Sequence, residues 1–426
     1  MINILLYPDK KEWANICKRP NSNKSDIETK VKEILEEVKK YGDTAVLRYT
    51  KMFDYPDTSS LQVSKEIIES SSTKVSDTFK KSVEIAIQNI EKFHRSQRQC
   101  ATKIEIMPGI VCWRKQVPIE KVGFYIPGGT APLFSTLIML AIPAKIAGCK
   151  DIIVCTPPQK DGKIANEILY ICHRFSIEKV FSCGGAQAIG AMAYGTSTIP
   201  AVYKIFGPGN QYVTEAKLQV QKEGVSIDMP AGPSEVLIIA DESANPSYIA
   251  ADLLAQAEHG TDSQVFLISK SQAFCEKVQY EISQQLVTLP RREIAQQSLK
   301  HSKAIVFASD EDIIDFVNKY APEHLIINVQ NTTWFEERII NAGSVFIGEY
   351  TPESAGDYAS GTNHVLPTNG YAKSYSGVSL DSFVKNITFQ TITKTGLETL
   401  QNTITTMARL ESLEAHARAV EIRLKK

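Results

Sequence analysis

The chain has 426 residues, 43% of them hydrophobic and 22% charged. That exceeds the roughly 250–300 residues at which a single core stops growing, so two or more domains are expected, and a disordered chain is excluded. Lys and Arg number 47 against 48 Asp and Glu, which leaves no net field to draw the chain to nucleic acid or an anionic membrane.

Eight cysteines are scattered with no C-x-x-C pair, and no apolar run reaches the about 18 residues of a membrane span. The start, "MINILLYPDKKEW", carries no basic leader. A cytoplasmic protein with reduced thiols is expected.

Residues 1 to about 117 are rich in Lys, Glu and Ser. In "IETKVKEILEEVKKYGDTAVLRYTKMF", Val31, Ile34, Leu35 and Val38 form one apolar stripe, which predicts a helical scaffold. After Pro118 the texture changes: "KVGFYIP", "DIIVC", "KVFSC" and "VYKIF" alternate with helical runs. A second series, "EVLIIA", "QVFLIS", "AIVFA", "LIINV" and "SVFIG", begins near Ser234. The alternation predicts an α/β fold with two open, Rossmann-like, mostly parallel sheets and ligands at the carboxyl ends of the strands. In the tail, Leu400, Ile404, Met407 and Leu410 recur at helical spacing, as in a core helix or a dimerisation arm.

Three Gly-rich turns, "YIPGGTAPLF", "CGGAQAIGAMAYG" and "FGPGNQYVTEA", each follow a strand and precede a helix. Backbone N–H groups and the positive helix end suit an anion there, although none matches G-x-G-x-x-G or a Lys-bearing phosphate loop. Each alone is equally a tight turn; three in succession favour a nucleotide or anion site. Among the histidines, His259 ends "LLAQAEHG" three residues after Gln256, and the two could meet one ion. Spacing alone prefers a helix C-cap for His259, a capped solvated turn for Glu323 and His324 in "YAPEHL", and a core or interface place for His416. "SAGDYASGTNHVLPT" fits neither helix nor strand, and sets Asp357 and His364 among small residues.

These residues carry a resemblance. "VGFYIPGG", "GGAQAIGA", "KIFGPGN", "DMPAGPSEVL", "DLLAQAEHG", "APEHL", "SAGDYASGTNHVLPT" and "LEAHARAV" follow one another in the order found in histidinol dehydrogenases, which the chain resembles from near the first helix to the last. The resemblance implies a four-electron, zinc-dependent oxidation of L-histidinol through L-histidinaldehyde to L-histidine with two NAD+, the last steps of histidine biosynthesis. It implies one Zn2+ per active site on Gln256, His259, Asp357 and His416, the last from the partner subunit of a homodimer, which reassigns both histidines. His324 is then the base and Glu323 the activator of water. Ser234, Gln256, His259, His324, Asp357, His364, Glu411 and His416 contact substrate, and Tyr125, Gln187 and Asn210 contact NAD.

The same resemblance divides the chain into an N-terminal arm (1–22), a helical segment (23–124) packing with a second α/β domain (236–378), a first α/β domain (125–235) and a C-terminal dimerisation arm (379–426). Glu411 and His416 lie five residues apart, so one straight helix points them in different directions, and a break is expected near Leu413. Two other classes compete: a zinc hydrolase, which leaves the Gly-rich turns unexplained, and a non-catalytic metabolite-binding protein or scaffold, against which intact Glu323, His324 and Asp357 speak.

Overall fold

The computed structural model describes residues 2–20, 24–128 and 132–425, so the tip of the first Gly-rich turn lies outside them. Its strands are, in chain order, β1 (Asn3–Leu6), β2 (Ile104–Met107), β3 (Ile110–Pro118), β4 (Lys121–Tyr125), β5 (Asp151–Thr156), β6 (Lys179–Ser182), β7 (Lys204–Phe206), β8 (Ser226–Ile227), β9 (Glu235–Ala240), β10 (Gln264–Ser269), β11 (Lys303–Val306), β12 (His324–Asn328), β13 (Ser344–Ile347) and β14 (Val384–Ile392). Two sheets are wholly parallel: a five-stranded one in the order β6-β5-β4-β7-β8 and a six-stranded one in the order β1-β11-β10-β9-β12-β13.

Continuous apolar runs explain this. β9 and β10 are buried along their whole length, as strands with helices on both faces must be. In each sheet the chain builds outward in one direction and then returns to the other side of its first-laid central strand. The reversal falls between β4 and β7 in one sheet and between β9 and β12 in the other.

Three expectations are corrected. Residues 104–118 and 384–392, read as helical scaffold and helical arm, form an antiparallel sheet in the order β14-β3-β2, with Trp113 stacked on Phe389 at 5.4 Å. Its strands are short or solvent-facing, so their alternation was hidden among charged residues. The helices of residues 24–95 pack mainly on the five-stranded sheet, and only the Asp77–Arg95 helix also reaches the 236–378 block, where Asn89 donates to the Ala359 carbonyl and His94 meets Asn363. Val31, Leu35 and Val38 join Tyr125, Phe181 and Ile189 in one core, and Ile87 and Ile90 join Leu137 and Ile168 in another. The first residues are no free arm, because β1 pairs with β11 of the same chain from Asn3↔Lys303 onward.

The helix break is present. The Lys394–Leu410 helix ends at Glu411, Ser412 adopts a left-handed φ of 62°, and the Glu414–Leu424 helix starts afresh. Along this tail Leu410 is 82% exposed and Ile422 68%.

One buried ion pair holds the third Gly-rich turn. Lys217 pairs with Asp228 and donates to the Gly207 carbonyl at 3.0 Å, while Asp228 accepts from the Gly207 N–H at 2.8 Å. Both side chains are almost fully buried. Lys217→Met should therefore lose about 3–5 kcal/mol in urea denaturation, because it strands a buried charge. Adding Asp228→Asn should recover part of that loss; an unchanged midpoint in the single variant would show the pair to be idle.

Candidate active site

The six-stranded sheet gathers its polar residues at the amino edge. The Pro246–Ala257 helix brings Gln256 and then His259 to its C-terminal end. The Asp310–Tyr320 helix stops at Ala321, which is left-handed with φ 56°, and hands the chain through Glu323 to His324 at the start of β12. Ser234 and Glu235 stand at the start of β9, with His324 in register with Val236. The expectation of a site at the carboxyl ends fails for this sheet. That rule places anions against helix N-termini, whereas this edge collects helix C-termini, whose carbonyls favour positive charge.

At its centre is the His324 imidazole, 4% exposed. Nδ1 lies 3.2 Å from the Glu235 carbonyl, 3.7 Å from Glu323 Oε2 and 3.8 Å from Glu353 Oε1, and Nε2 lies 3.6 Å from Asp357 Oδ1. His324, Glu353 and Asp357 offer donor atoms within 4.8 Å of one another, the spacing of a metal cluster. The Gln256 amide, turned to satisfy both neighbours, donates to Glu353 and accepts from the Glu235 N–H at 3.0 Å. The buried Nε2 atoms of His324 and His364 have no hydrogen-bond partner among the described residues.

Asp357 sits on a short helix, Glu353–Tyr358, where an irregular loop was expected. His364 follows Asn363, which is anchored to the Met139 carbonyl at 2.8 Å and faces the His94 ring at 3.4 Å, so His94 serves to fix the loop.

Charge sorts these groups. Burial alone disfavours a charged His324, but Glu353, Glu323 and Asp357 outweigh it and push the imidazole up to about 10. Burial pushes Glu323 up to about 8 and Glu353 well above the carboxylate range. Burial also opposes the charge of Asp357, yet His324, His364 and His259 hold it below its ordinary value. His364 is lowered by burial, and His259, though exposed, is lowered by the protein packed around it. Two neutral imidazoles beside an ionised carboxylate are the protonation states a divalent cation requires of its ligands. Among the described residues the donors that group are His324, Glu353 and Asp357, whereas Gln256 is turned to Glu353 and Glu235.

His416 and Glu411 are elsewhere. Both are exposed on the C-terminal tail, and no interaction joins either to this cluster within the chain.

The Gly-rich turns converge at the opposite kind of edge, the carboxyl ends of the five-stranded sheet. Tyr125 ends β4 and accepts from the Gly185 N–H at 3.3 Å; Gln187 lies in the Gly185–Tyr194 helix and donates to Asp54 at 3.4 Å. Asn210 caps the Gln211–Lys222 helix through Tyr212 and Val213, and is exposed. Gly207 has φ 119°, and a side chain there would strike the Tyr125 carbonyl, so β4 and β7 meet closely at the reversal point.

Spacing held a signal for one residue missed in the sequence. Glu353 precedes Asp357 by four, one face of a helix. Asp54, Glu235 and Arg19 carried none, because their partners are distant in sequence.

A cation-collecting edge beside an anion-collecting one, on two parallel α/β sheets, is the build of an enzyme that brings a polar substrate to a nucleotide. Comparison with known proteins agrees. The family model for histidinol dehydrogenase matches residues 17–424. The chain is 54% identical to the histidinol dehydrogenase of Bacteroides thetaiotaomicron over 424 residues, covering 100% of this chain and 99% of that protein. It is 52% identical to the chloroplastic histidinol dehydrogenase of Arabidopsis thaliana over 411 residues, covering 96% and 88%. It superposes on the crystal structure of the Elizabethkingia anophelis histidinol dehydrogenase with a TM-score of 0.96 at 50% identity, covering 99% of this chain and 98% of the other. The chain belongs to the histidinol dehydrogenase family, oxidoreductases of histidine biosynthesis.

Asp54 gives a test of the nucleotide edge. Burial pushes its carboxyl up to about 6, against the Gly184 N–H that favours its charge. A carboxyl raised in the fold stabilises it fully only below its unfolded value near 3.8, and that contribution disappears as pH rises through about 6. Asp54→Asn stays neutral, so its thermal midpoint should gain on the wild type from about pH 4 to pH 7. Midpoints that run parallel over that range would show Asp54 to be solvated.

Proposed function

We propose that the chain oxidises L-histidinol through L-histidinaldehyde to L-histidine, in two hydride transfers to two NAD+, with one Zn2+ per active site. The observation that carries this is the meeting of His324, Glu353 and Asp357, whose donor atoms lie within 4.8 Å of one another, with Glu323 beside His324. Gln256, His259 and Asp357, with His416 of the partner subunit, hold the metal. Zinc supplies a fixed anchor for the imidazole and amine nitrogens of the substrate. NAD+, held by Tyr125, Gln187 and Asn210, supplies the hydride acceptor.

His324 takes the alcohol proton at Nε2, since Nδ1 is committed to the Glu235 carbonyl. Positive charge brought against Asp357 lowers the His324 pKa and favours ionised Glu323, so filling the site turns both groups into bases. Glu323 then draws a proton from the water that hydrates the aldehyde, and the pair serves the second oxidation. Ser234, His364 and Glu411 orient the substrate.

The enzyme works as a homodimer with shared sites. Exposed Leu410 and Ile422 lie along the tail that bears Glu411 and His416, and an apolar arm of this kind finds its cover on a second copy. It works in the cytoplasm, where buried thiols such as Cys155 and Cys183 stay reduced.

The test is NADH formed per histidinol consumed. Two are expected, none if the protein is a hydrolase or a binding protein, and Asp357→Ala should lose bound zinc and NADH formation together. Sharing is tested by mixing His416→Ala with Gln256→Ala after reversible dissociation. Half the dimers are then mixed and each has one intact site, so about a quarter of wild-type activity should return. No recovery would confine each site to one chain.

A further inference from the structure

We propose that Glu235, locked by Arg19, is the positioning residue of the Glu323–His324 pair. This rests on the reading of that pair as the proton-handling groups. Glu235 is the first residue of β9 and 1% exposed. Its peptide groups touch both members: its N–H donates to Glu323 Oε2 at 2.8 Å, and its carbonyl accepts from His324 Nδ1 at 3.2 Å.

A carbonyl can only accept, so the proton of neutral His324 resides on Nδ1 and the lone pair on Nε2, which faces Asp357. An amide can only donate, so Glu323 Oε2 is fixed as an acceptor. One residue thereby sets the tautomer of the base and the rotamer of the carboxylate.

The Glu235 side chain explains why this residue stays still. Arg19 Nη2 reaches Oε2 at 2.7 Å, Arg19 Nε lies 3.3 Å and 3.2 Å from the two oxygens, and the Asn369 N–H donates to Oε1. Arg19 also donates to the Tyr320 carbonyl at 2.8 Å and to the Cys17 carbonyl at 3.2 Å, with its guanidinium 3.8 Å from the Tyr320 ring centre. Tyr320 ends the helix that leads to Glu323, and Asn369 ends the loop that carries His364. Three segments bearing site residues are therefore tied to one carboxylate. Arg suits the task because its planar fork spans both oxygens and its remaining N–H groups reach two carbonyls; Lys cannot do this.

An ångström of freedom at a reacting group costs turnover more than affinity. Arg19→Lys and Glu235→Gln should therefore lower kcat about 10- to 100-fold, while KM for NAD+ stays within about twofold and activity is counted per folded molecule. Arg19→Ala should fall further and regain part of its kcat on addition of guanidinium ion at sub-denaturing concentration. Should Arg19→Ala fail to fold, Arg19→Lys decides. Wild-type kcat in Arg19→Lys and Glu235→Gln beside an inactive His324→Ala would overturn the positioning role alone. Undiminished turnover in His324→Ala would overturn the reading beneath it.

Discussion

Three carboxylates crowd one buried imidazole, and the helix C-termini around them add to the negative field rather than relieve it. Glu323, Glu353 and Asp357 surround His324 where helix C-termini meet the starts of β9 and β12. Burial raises Glu353 and Glu323 above the carboxylate range, and the carboxylates around His324 raise its imidazole in turn. A cationic occupant takes over the role of the protons they hold.

The two sheets divide the work by polarity. Carboxyl edges of parallel strands face helix N-termini and suit the phosphates of a dinucleotide; amino edges face helix C-termini and suit ammonium, imidazolium and metal ions. Tyr125, Gln187 and Asn210 lie on the first kind of edge, and Gln256, Glu323 and His324 on the second. The two sheets thus present edges of opposite polarity, one suited to anions and one to cations.

Much of this was legible in the sequence, for local reasons. Apolar runs such as "EVLIIA" fix a buried parallel strand without reference to the rest of the chain, and the five-residue offset of Glu411 and His416 foretold the break at Ser412. Long-range relations were not legible. Nothing near Val384–Ile392 announces that it pairs with Ile110–Pro118, and nothing in "IETKVKEIL" says which sheet its stripe covers. At the site, residues supplying side chains in short motifs were found, whereas Arg19 and Glu235 act through partners hundreds of positions away. Glu235 lies in the visible motif "GPSE", but its role depends on a contact with Arg19 that only the fold creates.

The placement of β1 sets an order of events during synthesis. Asn3–Leu6 is made 300 residues before Lys303–Val306, its strand neighbour among the described residues. The five-stranded unit, complete by Ile227, can close well before then. Until β11 arrives, the opening apolar strand has no template, and the loop that must close to dock it is among the longest in the molecule. A nascent chain halted between those two points therefore leaves Asn3–Leu6 without the strand it pairs with.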